Sequence, residues 1–191
     1  MANHFTNALY FYGEQKKLQA LMDVLVAVIQ KTQEGDYHEE LVLAECGLSN
    51  ETCREHGISF SDIPKFVDTT QLLVKSETRW SPKDLFFDVL ANHFGITYAS
   101  SSIDGSEWYI HNDLDETAFP ENVLVDIWGN EDIPDVYEFF ETYEKAISFL
   151  TERLGTVVKR SENETDESYL QCWNEYLKEE EIGCIAFAIR D

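Results

Sequence analysis

The chain has 191 residues, with 37 Asp and Glu against 14 Lys and Arg, so its formal net charge is −23. At 43% hydrophobic and 13% aromatic, with 9 Gly and 4 Pro, it has ample material for a core and is not compositionally disordered. Affinity for phosphates comes from clustered lysine and arginine, so this charge argues against direct binding to nucleic acid or to an anionic membrane surface.

Thr6 to Gly13 alternates and carries Leu9, Tyr10, Phe11 and Tyr12, which predicts a first strand ending at a glycine. From Glu14 to Thr32, Leu18, Leu21, Met22, Leu25, Val28 and Ile29 recur at helical spacing opposite Lys16, Lys17 and Asp23, which predicts a helix. Gln33 to Thr70 is mixed, with a loop-like Glu34-Gly35-Asp36 and a short apolar run at Leu41 to Leu43. It reads as an insertion with one or two short helices. Gln71 to Trp80 predicts a strand. Ser81 then stands as an N-cap and Pro82 at the first turn of a helix through Leu85, Phe86, Val89, Leu90 and Phe94 to Gly95.

Three strands are expected next, Ile96 to Ser101, Glu107 to His111 and Val123 to Trp128, with Asp104-Gly105 as a hairpin turn between the first two. A helix should start near Asp132, hold Pro134 in its first turn, and run through Val136, Phe140, Tyr143, Ile147, Leu150 and Leu154 to Gly155. After the polar stretch Lys159 to Glu167, Ser168 to Glu181 reads as a last helix and Ile182 to Ile189 as a closing strand. This order predicts a single α+β domain over residues 1–191, a mostly antiparallel sheet with helices on one face.

Two short stretches resemble a known group. Ala2-Asn3-His4-Phe5-Thr6-Asn7, followed by the alternating strand and Gly13, looks like the opening of the ferredoxin-like proteins of phages and plasmids known as the YubB-like or Api92-like group. Glu77-Thr78-Arg79-Trp80-Ser81-Pro82 before an amphipathic helix resembles that group's Thr-x-Trp-Ser-Pro turn. The resemblance covers about half the chain. It implies a ferredoxin-like core over about residues 6–129, interrupted by the insertion at about 33–70 and followed by a C-terminal helical extension over about 130–191. It also implies a mobile-element origin, and no catalytic residues.

The charge is segregated. Between Lys83 and Lys145 there is no lysine or arginine, while the interval holds fifteen acids: Asp84, Asp88, Asp104, Glu107, Asp113, Asp115, Glu116, Glu121, Asp126, Glu131, Asp132, Asp135, Glu138, Glu141 and Glu144. If a helix begins at Asp132, then Glu131, Asp135 and Glu138 share its exposed side, where like charges cost a few tenths of a kcal/mol per pair. Such an arrangement points either to solubility or to a basic partner, whose encounter it would steer.

Sites of chemistry are weak by comparison. Asp113-Leu114-Asp115-Glu116 with His111 nearby could be a metal loop, but the glycine and closing glutamate of an EF-hand are missing. His38-Glu39-Glu40 lacks the second histidine of a zincin helix. Cys46, Cys53, Cys172 and Cys184 form no CxxC pair, and no phosphate-cradling glycine loop occurs. No catalytic residue, metal ligand or cofactor is therefore assigned. Met1 to Phe11 has no basic leader, and no 18-residue apolar run occurs, so a soluble cytoplasmic protein of the host cell is expected.

The expected function is that of an acidic, non-catalytic inhibitor from a phage or plasmid. It would act as a DNA mimic, occupying the basic nucleic-acid groove of a host defence nuclease of the CRISPR or restriction type. Asp113, Asp115, Glu116, Glu131, Asp132, Asp135 and Glu138 would stand in for phosphates, with Trp108 and Trp128 as aromatic anchors. The alternatives are a metal-dependent nuclease acting on guide RNA or DNA, and an acidic adaptor that assembles proteins of a mobile element.

Overall fold

The computed structural model describes residues 4–33, 35–105, 107–114, 118–128 and 134–190. The protein is mixed α+β, with five helices and nine strands among the described residues. The chain divides into two compact units. One comprises residues 1–104, 109–118 and 190–191, and the other residues 105–108 and 119–189.

The first unit contains β1 (His4–Tyr12), α1 (Gln15–Ile29), α2 (Glu39–Glu45), β2 (Ile58–Phe60), β3 (Lys65–Asp68), β4 (Gln71–Arg79), α3 (Asp84–Phe94), β5 (Thr97–Asp104) and most of β6 (Glu107–Asn112). β1 lies antiparallel between β4 and β5, with Leu9 opposite Val74 and Phe11 opposite both Leu72 and Tyr98. The pleat turns Leu9, Phe11, Leu72 and Val74 to one face. There they pack in one core with Leu18, Leu21, Leu25 and Val28 of α1 and Phe86, Phe87 and Leu90 of α3. Each such side chain contributes about 1.5–3 kcal/mol on burial, which holds both amphipathic helices to that face.

The insertion is more than short helices. Besides α2 it supplies β2 and β3, which pair in succession along β4, Ile58 opposite Thr78 and Phe66 opposite Leu72. Pro64 falls between them and has no N–H to donate, so the edge is made in two pieces. Strands of three and four residues are too short to show an alternation in sequence.

Ser81 is not the N-cap of α3. Lys83 holds that position with a left-handed backbone, φ 74°, and makes no side-chain cap. The Glu55 carboxylate, from the insertion, instead accepts the Phe86 N–H at 2.8 Å. The Ser81 carbonyl accepts the Thr78 hydroxyl at 2.8 Å and so closes the turn that carries Trp80.

The second unit contains β7 (Val123–Ile127), β8 (Val136–Phe140), α4 (Tyr143–Leu154), α5 (Asp166–Glu179) and β9 (Gly183–Arg190), with β7 antiparallel between β9 and β8. The helix expected from near Asp132 to Gly155 is corrected in its first half. Val136 to Phe140 is a strand, and the helix begins at Tyr143, where the Thr142 hydroxyl accepts the Lys145 N–H. Val136 and Phe140 stand four residues apart, a spacing that puts them on one face of a helix and equally of a strand. Valine and aromatic content together with pairing to β7 decide for the strand.

Val123, Val125, Ile127, Val136 and Phe140 face Ala146 and Leu150 of α4 and Leu170, Trp173 and Leu177 of α5. β9 runs close beside β7 at Gly183, where a Cβ would stand 2.4 Å from the Asp126 carbonyl oxygen. Only glycine fits there without moving backbone.

Candidate functional site

Of the acids expected to meet a partner, Asp115, Glu116, Glu131 and Asp132 lie outside the described residues. Asp113, Asp135 and Glu138 are exposed. Asp135 and Glu138 do not repel along a helix as expected, because Glu138 sits in strand β8 and Asp135 just before it. Trp108 is buried, 1% exposed, and its ring meets Phe139 edge-on with centroids 5.3 Å apart, so it packs and is no exposed anchor. Trp128 is 41% exposed.

On the face of its sheet turned away from α4 and α5 the second unit carries an aromatic pair beside carboxylates, while Glu138, between Val136 and Phe140, alternates to the helix side. Along β8 the pleat sends Val136 and Phe140 to the helices and Tyr137 and Phe139 to the other side. Tyr137 is 55% exposed and Phe139 40%, and their rings meet edge-on at 5.5 Å. Asp126 on β7 lies directly opposite Tyr137. Burial, with the Asp135 charge added, raises the Asp126 pKa, and burial with the Asp126 charge raises that of the Tyr137 phenol. Two carboxylates and an aromatic pair therefore share one patch that a cation would relieve. Tyr137 and Phe139 carry no mark of exposure in the sequence, whereas Asp126, a lone acid inside the apolar run Val123 to Ile127, carries the signature of a side chain that faces away from the core.

In the first unit, β6 and the residue after it bring His111 and Asp113 to Asp88 of α3, with one ligand atom from each within 4.8 Å of the others. His111 Nε2 lies 3.2 Å from Asp113 Oδ1. Tyr98 holds the arrangement: its hydroxyl donates to Asp88 Oδ1 at 3.0 Å, and its ring stacks on His111 at 4.6 Å. Burial raises the Tyr98 pKa far above the usual phenol range, and Asp84, Asp88 and Asp113 add to it, so the phenol stays a donor. These three side chains are the described residues that could hold a divalent cation. His111 and Asp113 lie two residues apart in the sequence. Asp88, two elements earlier, could be joined to them only by the fold.

His38 and Glu39 are structural. Glu39, 5% exposed, accepts the N–H groups of Gly57 at 3.0 Å and Ile58 at 3.2 Å through its two carboxylate oxygens. His38 Nδ1 accepts the Phe60 N–H at 2.9 Å, and the His38 N–H donates to the Ile58 carbonyl at 2.8 Å. These bonds occupy the side of β2 turned away from β4 and close that sheet edge. Burial lowers the His38 pKa, against an opposing pull from Asp36 and Glu39. Burial likewise raises the thiols of Cys53 and Cys184, and lifts that of Cys46 to about 11, which leaves them poor nucleophiles.

No protein-family profile matches the chain. No solved structure matches it. An uncharacterized protein of Schizosaccharomyces pombe is 26% identical over 83 residues, which is 44% of this chain and 15% of that protein. The chain thus spans a small part of the curated relative it matches, and that relative's description names no activity. No described helix is long and apolar enough to cross a membrane.

Proposed function

We propose that the protein is an acidic, non-catalytic binding protein that occupies the basic nucleic-acid groove of a partner, in the manner of a DNA mimic. A host defence nuclease is the partner class proposed, and a phage or plasmid the origin. One observation carries the reading: the interval between Lys83 and Lys145 has fifteen acids and no base, and Glu107, Asp113, Asp135, Glu138, Glu141 and Glu144 within it are exposed. Glu141, at the end of the interval, pairs with Lys145; an exposed carboxylate such as Asp135 or Glu138 presents its charge to a partner. The ferredoxin-like description of the core belongs to the same reading. It is supported by the antiparallel β4-β1-β5 order with α1 and α3 on one face, and by the short leader and turn motifs.

The test is capture of a basic nucleic-acid-binding partner by the wild-type chain and by a variant carrying Asp135→Lys and Glu138→Lys. Both side chains are exposed, so the variant should fold as the parent does and lose the partner. Binding should also weaken steeply as salt rises. Retention that ignores salt and charge reversal would count against the reading.

The Asp88, His111 and Asp113 grouping favours a second reading, a metal-dependent nuclease. Titration with Mn²⁺ separates the two: this reading requires Mn²⁺ binding that Asp88→Asn abolishes and cleavage of RNA or DNA that depends on the metal.

A further inference from the structure

β8 pairs with β7 and, among the described residues, with no other strand. A free strand edge is a row of backbone donors and acceptors, and proteins usually blunt one with lysine, proline or covering side chains. The first unit does this: His38 and Glu39 fill the open side of β2. β8, Val136-Tyr137-Glu138-Phe139-Phe140, contains neither lysine nor proline. It instead shows Tyr137 and Phe139 to solvent beside Asp126 and Asp135.

We propose that β8 is a docking edge, and that an extended, arginine-bearing segment of the partner protein adds to it as a further strand, with a guanidinium laid over Tyr137 and held by Asp126 and Asp135. The inference rests on the acidic-binder reading and states how the partner is gripped. Charge complementarity selects the occupant. The patch is anionic, so the added segment is cationic, and a second copy of this chain would set Asp126, Asp135 and Glu138 against their own kind. Arginine suits it better than lysine, because a planar guanidinium stacks on an aromatic ring and meets carboxylates with paired hydrogen bonds. The backbone bonds along β8 supply affinity, and the alternate side chains that meet the aromatic face supply selectivity.

The test uses the full chain and a short peptide in which arginine alternates with threonine. Peptides with lysine or glutamate in place of arginine, and one N-methylated along a single backbone edge, serve as probes. The arginine peptide should bind, the lysine peptide several-fold more weakly and the glutamate peptide not at all. N-methylation of the pairing edge, and the double variant Asp126→Asn with Asp135→Asn, should each weaken binding by roughly tenfold or more. Tyr137→Thr, which preserves strand propensity, should weaken it as well. Binding untouched by N-methylation of either edge and by Tyr137→Thr overturns the docking edge. If partner capture is still lost on charge reversal at Asp135 and Glu138, the acidic-binder reading survives that result, and if capture is also indifferent to charge, both fall.

Discussion

His38 can accept the Phe60 N–H only while its imidazole is neutral, and burial makes the neutral form the favoured one. Its pKa is therefore lower in the folded protein than the ordinary 6.5 of the unfolded chain. Below that value the unfolded state takes up a proton that the folded state refuses. Stability from this group is complete above 6.5 and is lost as the pH falls through 6.5 toward the lowered folded value. His38→Asn keeps an acceptor near the Nδ1 position and does not titrate. Urea unfolding followed from pH 7 to 5 should show a loss in the parent that the variant lacks in part. Glu39→Ala should cost roughly 2–4 kcal/mol in the same measurement, because it strands the Gly57 and Ile58 donors. The sequence marked His38 and Glu39 as residues with chemistry to explain. Their partners are backbone groups some twenty positions away in strands too short to detect, so a structural duty could not be told from a catalytic one.

Among the elements, the long ones were legible because their periodicity is unambiguous. α1 carries four buried residues at three- and four-residue spacing, and β1 and β4 run nine residues each in alternation. β8 is ambiguous in sequence because Val136 and Phe140 satisfy both periods, and the signal that starts the helix, Thr142 as an N-cap, stands beyond them. Thr142→Ala and Thr165→Ala should each lower stability by about 1 kcal/mol in denaturant titration, since each hydroxyl accepts a first-turn N–H. Gly183→Ala tests the close approach of β9 to β7. It should be markedly destabilising in the same titration, as the added Cβ must displace the Asp126 carbonyl. Ser81→Ala should be mild by comparison, because Glu55 serves α3 from outside the helix.

For the whole molecule, the net charge of −23 sets the behaviour at a distance and the two units set where it is displayed. Composition alone was enough to find the base-free interval. It could not show that Trp108 packs inside while Tyr137 and Phe139 lie outside, because aromatic residues on adjacent strand positions differ only in which face the fold covers. Nor could it bring Asp88 to His111 and Asp113, which depends on α3 meeting β6.

The most direct test of the acidic binder is affinity capture from a lysate on the immobilised chain at low and at high salt, beside the Asp135→Lys, Glu138→Lys variant, with bound proteins identified by mass spectrometry. The expected result is a basic nucleic-acid-binding protein that elutes with salt, is displaced by added DNA and is absent from the variant. A partner that stays bound at high salt and binds the variant equally would contradict the account.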